Sequence, residues 1–271
     1  MVLAQERLIR RVGQMCRADQ RLVAALTYGS FAQGEADAHS DIEFWLFIES
    51  RCAATLDRRA WLDDVGAIRF AVVNEFGAHV AFFPALIRGE FHFATAGDIA
   101  SVGAWPARGA PAERMIILDR TGELRRALES LPARPKLPAA PDEVEELCGR
   151  FANWLVLAHH VARRGELLRA VDALTHAQRH LLWMARLAEG RTQHWLTPSR
   201  SAETDLPGDV AEALHETTTA ADPETLTRAI GAAWRHGRRH WQQLAARGGR
   251  PVPEAFFQDL DAAIESRHPE P

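Results

Sequence analysis

The sequence predicts an α+β chain, with an N-terminal mixed sheet and its helices followed by a C-terminal helical bundle. Three observations carry that prediction. Short apolar runs broken by turn residues fill the first part of the chain, between residues 22 and 118. The segment 131–141, LPARPKLPAAP, holds four prolines in eleven residues, and proline both removes backbone donors and interrupts helix. Beyond it, residues 142–190 and 223–247 are rich in Ala, Leu, Glu and Arg, the composition of helices.

The elements follow in order. Leu3, Leu8, Ile9, Val12, Met15 and Cys16 recur at helical spacing, which predicts an amphipathic helix over 3–16. Leu22–Tyr28 is an apolar run stopped by Gly29-Ser30, a strand entering a tight turn. Ile42–Ile48 is apolar at nearly every position, as in a central strand covered on both faces. Trp61-Leu62 and Val65 fit a helix. Ile68–Val73 and His79–Leu86 fit two strands around the turn Asn74-Glu75-Phe76-Gly77, and Arg88–Phe93 continues as extended chain. Met115–Leu118 is a last strand, followed by a helix near 123–129. The proline-dense stretch sets the expected boundary, with one domain over 1–133 and a helical one over 134–271.

Composition narrows the function classes. Of 271 residues, 25% are charged and the net charge is −4, which lacks the basic excess of a nucleic-acid binder. Three cysteines with no CxxC pair argue against a disulfide framework or a cysteine zinc site, so reduced thiols in the cytoplasm are expected. The N-terminus shows no apolar signal segment, and the longest apolar runs are too short to span a bilayer. Neither nucleic acid nor membrane is therefore expected as a partner.

The chemistry concentrates in residues 29–44, GSFAQGEADAHSDIEF. Gly29-Ser30 closes a strand and opens a helical turn. A glycine lets backbone approach an anion, and free N–H groups at a helix start point toward it. Such a pair is also an ordinary turn. Asp41 and Glu43, two apart on an otherwise apolar strand, share one face. Two carboxylates side by side beside a core repel unless a cation joins them, and Mg²⁺ is the divalent ion suited to carboxylate and phosphate oxygens. A strand with one solvated face explains the pair equally well. Ten residues separate Ser30 from Asp41, room for one short helix and a return to a neighbouring strand.

Glu90, within LIRGEFHF at 86–93, is a third carboxylate among apolar neighbours. It suits a metal ligand, a general base, both, or a surface Glu on an edge strand. Arg88 suits a phosphate contact or pairing with a carboxylate, and His92, on the face of Glu90, suits an acceptor contact or a hydrogen-bonded histidine. The pairs His176/His180 and His236/His240 have zinc spacing but lack a third ligand. Among the tryptophans, Trp154, Trp183, Trp195, Trp234 and Trp241 suit helix core or interface, with one or two free to line an apolar pocket.

The strings Tyr28-Gly29-Ser30-Phe31, Gly34-Glu35, Asp37, Ser40-Asp41-Ile42-Glu43-Phe44, Trp61-Leu62, Asp64-Val65, Asn74-Glu75, Gly77 and 86–93 together resemble the nucleotidyltransferase superfamily, and within it the lincosamide nucleotidyltransferases. The resemblance continues more thinly through Asp119, 121–124, 153–155, 164–166 and 195–196. Glu43, where the wider superfamily more often has Asp, narrows the match to the lincosamide group. The resemblance implies a nucleotidyltransferase-fold catalytic domain over 1–133 and a helical substrate-binding and dimerisation domain over 134–271. It implies Asp41 and Glu43 as Mg²⁺ ligands, with Glu90 as third ligand and general base. Gly29, Ser30, Ser40 and Arg88 then serve the nucleotide and His92 the acceptor. It further implies ATP as the donor, a homodimer, and a drug site near the domain junction. The acceptor expected is a lincosamide hydroxyl. The alternatives are an aminoglycoside, a protein side chain as in antitoxin nucleotidyltransferases, or nucleotide binding without catalysis.

Overall fold

The computed structural model describes residues 2–265. The chain divides into two compact units, Met1–Pro135 and Lys136–Pro271.

The first unit is built on a six-stranded mixed sheet. Its strands are β1 (Leu22–Thr27), β2 (Ile42–Ile48), β3 (Phe70–Val73), β4 (His79–Phe82), β5 (Arg88–Thr95) and β6 (Ile116–Asp119), in the spatial order β3-β4-β5-β2-β1-β6. Only β2 and β5 run parallel; the other neighbours are antiparallel. Helices α1 (Ala4–Ala18), α2 (Gly29–Gln33), α3 (Arg58–Asp63), α4 (Ala112–Met115) and α5 (Glu123–Glu129) complete the unit. Alternation along the strands sends apolar side chains to both faces. One face packs Phe44, Phe91, Ala81 and Phe83 against Val12, Cys16, Trp61 and Leu62. The other packs Leu26 and Phe47 against Ile99, Met115, Leu124 and Leu128.

Two stretches differ from the sequence reading. The strand expected over His79–Leu86 ends at Phe82, because Pro84–Leu86 forms a 3-10 turn in which Ala85 and Leu86 take positive φ. Proline cannot carry the ladder further, and the turn reverses the chain into β5. Glu90 lies on an interior strand, between β4 and β2, which removes the edge-strand explanation for it.

The second unit contains α6 (Pro141–Arg163), α7 (Leu167–Glu189), α8 (Ala202–Asp205), α9 (Gly208–His215), α10 (Pro223–Arg247) and α11 (Glu254–Glu265). The long helices α6, α7 and α10 bury Phe151, Leu155, Leu181, Met184, Leu226 and Ile230 in one core. Gly165, at φ 77, turns the chain between α6 and α7. Fully buried Arg186 donates to the carbonyls of Arg191, Pro198 and Arg200 and pairs with Asp205 at 3.0 Å, fixing the loop that follows α7. The same Asp205 accepts from His194 Nδ1 at 2.6 Å. Among the described residues no helix is long and apolar enough to cross a membrane.

Candidate active site

The site is assembled on one face of the sheet, where β1 ends and β2 and β5 begin. Glu43 and Glu90 are register partners on the parallel strands β2 and β5, so their side chains leave the sheet side by side. Asp41, two residues before Glu43, shares that face. The three carboxylates are thus brought together, although nearly fifty residues separate the first two from the third.

A cationic side chain joins two of them. Arg88 Nη1 donates to Asp41 Oδ2 at 2.7 Å and Nη2 to Glu90 Oε2 at 2.5 Å. Glu90 also accepts from His92 Nε2 at 2.9 Å and from the Tyr28 hydroxyl at 3.3 Å. Its side chain is 18% exposed, so it is held by partners yet reachable. Burial pushes the Glu90 carboxyl up, but the hydrogen bonds and charges of Arg88 and His92 outweigh it and hold the group below its ordinary value. Tyr28 is shifted the opposite way, since burial and then the nearby Glu90 and Glu43 disfavour its anion.

The Gly29–Ser30 turn abuts this cluster. Gly29 opens α2 at φ +71, a conformation that L side chains rarely adopt. A Cβ there would also lie 1.5 Å from Glu43 Oε2, so the Glu43 carboxylate rests against bare backbone. The first N–H groups of α2 have no intrahelical acceptor, the arrangement that favours an anion at a helix start.

Ser40 is placed differently from Gly29 and Ser30. Its hydroxyl donates to Asp37 Oδ1 at 3.1 Å and accepts from the Asp37 N–H at 3.0 Å, closing the exposed turn that leads into β2. The structure brings together Gly29, Ser30, Asp41, Glu43, Arg88, Glu90 and His92, with Ser40 bracing the loop beside them.

Sequence reasoning missed an aromatic wall. Trp45 stacks on His92 with ring centroids 4.3 Å apart and planes 4° from parallel. Trp105 lies 6.0 Å from Trp45 and 6.3 Å from Tyr28. The period-two rule that pairs Asp41 with Glu43 also places Trp45 on that face, so this signal was present. Trp105 comes from a distant turn and leaves no local signal.

The donor set suits a hard divalent cation, because three carboxylates offer oxygen ligands only. In this arrangement, however, no group of three or more His, Cys, Asp or Glu side chains among the described residues is poised to hold a metal ion. The Arg88 guanidinium instead supplies the positive charge that like-charged neighbours require. The histidine pairs of the second unit are engaged within the protein. His180 Nδ1 donates to the His176 carbonyl, and His236 reaches Glu216 while His240 is buried.

Comparison with known proteins adds the following. A family profile described as "Lincosamide nucleotidyltransferase-like, C-terminal domain" matches residues 140–261, within the second unit. Curated protein sequences give no significant match. Among solved structures, an aminoglycoside 6-adenyltransferase from Bacillus subtilis aligns over 96% of this chain and 97% of its own, at 12% identity and a TM-score of 0.45. A nucleotidyltransferase-like protein from Exiguobacterium sibiricum 255-15 aligns over 91% of this chain and 77% of its own, at 14% identity and a TM-score of 0.39. Structural likeness at that level carries no argument about function, so the assignment rests on the C-terminal domain. Residues 140–261 are thus similar to the C-terminal domain of lincosamide nucleotidyltransferase-like proteins, a match that supports a nucleotidyltransferase as the enzyme class.

Proposed function

We propose that the chain transfers AMP from ATP to a hydroxyl of a lincosamide antibiotic, with Mg²⁺, in the cytoplasm and as a homodimer. The observation that carries the proposal is the convergence of Asp41, Glu43 and Glu90 beside the Gly29–Ser30 turn. In this reading the first unit is the catalytic domain and the helical unit binds the acceptor.

Asp41 and Glu43 would hold the metal with Glu90 as third ligand, and the metal would neutralise triphosphate charge. Gly29 and Ser30, at the start of α2, hold the β- and γ-phosphates through N–H groups and the Ser30 hydroxyl. Arg88 supplies a fixed positive charge beside them. Glu90, kept ionised by Arg88 and His92, takes the proton of the acceptor hydroxyl. The acceptor oxygen then bonds to the α-phosphorus as the bond from that phosphorus to the β-phosphate oxygen breaks, and pyrophosphate leaves. Positioning and charge neutralisation supply most of the acceleration, with the base adding about 10²–10⁴-fold. His92 and the Tyr28–Trp45–Trp105 wall favour an acceptor with apolar surface, which a lincosamide has and a polycationic aminoglycoside lacks.

The test is an acceptor screen with Mg²⁺ and each of the four nucleoside triphosphates, read by mass spectrometry. Lincomycin or clindamycin should gain one AMP, and Asp41→Asn should abolish this with an unchanged circular dichroism spectrum. Modification of kanamycin or tobramycin alone would transfer the assignment to aminoglycosides. Normal turnover by Asp41→Asn would overturn the metal-ligand role.

A further inference from the structure

We infer that Tyr28 is a positioning residue of the proposed transfer: its hydroxyl fixes the Glu90 carboxylate from across the sheet and ties the base to the turn assigned to the nucleotide. This role rests on the transferase reading above, and its test separates the two.

The partners of Glu90 divide by origin. Arg88 Nη2 donates to Oε2 at 2.5 Å, and His92 Nε2 lies 2.9 Å from Oε1. Both residues stand on β5, two positions either side of Glu90, so they move with it. Tyr28 comes from elsewhere. It follows the last residue of β1, and β2 lies between β1 and β5 in the sheet. Its hydroxyl nevertheless reaches Glu90 Oε1 at 3.3 Å. An ionised carboxylate only accepts, so the hydroxyl is the donor.

Tyr28 is itself held in place. Its N–H donates to the Glu43 carbonyl at 3.2 Å, and the Thr27 hydroxyl donates to the same carbonyl at 3.0 Å. Its half-buried ring packs 6.3 Å from His92 and 6.3 Å from Trp105. Gly29 follows at once and opens α2, so the backbone of Tyr28 runs directly into the Gly29–Ser30 turn. One residue thus connects that turn, strand β2 and Glu90.

The connection bears on proton transfer. A base oxygen must stand within hydrogen-bond reach of the acceptor hydroxyl, and a misplacement of about 1 Å can cost about 10²-fold in rate. Arg88 commits Oε2, while His92 and Tyr28 steer Oε1 from different strands. Together they set the plane of the carboxylate. Without the hydroxyl, Glu90 is steered only from its own strand, and the carboxylate gains freedom to rotate about its terminal bond.

Steady-state kinetics of the full chain with ATP, Mg²⁺ and lincomycin test the role. Tyr28→Phe keeps the ring and removes only the hydroxyl. It should lower kcat about tenfold, the effect of one hydrogen bond to a charged group, with both KM values within about twofold of wild type. Circular dichroism verifies that the variant is folded. A second measurement needs no variant of Tyr28. It is the only tyrosine in the chain, so isotopic labelling of the tyrosine Cζ gives a single magnetic resonance signal. Glu90→Gln should shift that signal, and an unmoved signal would overturn the contact. Unchanged kcat in Tyr28→Phe would overturn the role while leaving the transferase. A raised lincomycin KM at constant kcat would make the hydroxyl an acceptor contact and would equally overturn the role. A wild type that modifies no acceptor would overturn the transferase reading, and the positioning role with it.

Discussion

At the level of single residues, Arg88 decides how the site behaves. It sits between Asp41 and Glu90, where the alternatives were a phosphate contact or a carboxylate pair, and the geometry shows the pair. Its charge opposes the effect of burial on Glu90 and keeps that carboxyl below its ordinary value. In the mechanism proposed above the base acts only when deprotonated, so a depressed pKa would keep Glu90 competent to lower pH. The associated stability is present above the unfolded-state pKa and is lost as pH falls through the lower folded-state value. Arg88→Gln removes the opposing charge and lets burial dominate. The acid limb of the kcat/KM profile should then move to higher pH. A uniform loss of kcat/KM with the limb unmoved would instead mean that Arg88 serves only the phosphates. The carboxylates were legible in the sequence because period-two spacing and their apolar surroundings mark them. The contact of Ser40 with Asp37 was not, because a turn hydroxyl and a phosphate ligand look alike in sequence.

Among the elements, legibility followed the strength of the local pattern. The strand Ile42–Ile48 emerged with its expected ends because an unbroken apolar run between turn signals has one interpretation. The run after His79 was read too long, since Pro84 lies inside an apolar stretch whose backbone reverses only through positive φ at Ala85 and Leu86. The exposure of β3, which ends the sheet, was invisible for another reason, because a single sequence does not say which strand lies at the edge. Packing between helices is similarly hidden, and two glycines show why. Gly149 in α6 has open space where a Cβ would stand, so Gly149→Ala should raise stability by about 1 kcal/mol through helix propensity. Gly237 in α10 gains the same propensity, but its Cβ would meet the buried Phe151 ring at 2.2 Å. Overpacking of that kind costs about 1–3 kcal/mol, so Gly237→Ala should be net destabilising. Urea unfolding of the two variants should shift the midpoint in opposite directions, and a shared upward shift would show that α6 and α10 yield easily.

For the whole molecule, the two units hold separate cores, so a protonation event in one core should weaken the whole chain through that unit. His240 on α10 is 3% exposed, and its Nδ1 has no hydrogen-bond partner among the described residues. Burial, followed by the charges of Arg239 and His236, lowers its pKa from 6.5 to about 4. Above pH 6.5 the ring is neutral whether the chain is folded or not, and it costs nothing. Between pH 6.5 and 4 the unfolded chain takes up the proton and the folded chain does not, so stability falls as pH falls. The full loss is on the order of 3 kcal/mol, at about 1.4 kcal/mol per pKa unit. His240→Leu removes the titrating group and the unpartnered nitrogen together. At pH 7 its urea midpoint, followed by the helical circular dichroism signal, should lie near that of the wild type. At pH 4.5 the variant should be the more stable of the two. Parallel loss of stability in both proteins between these pH values would place the acid sensitivity of the helical unit elsewhere, in its paired carboxylates such as Asp205.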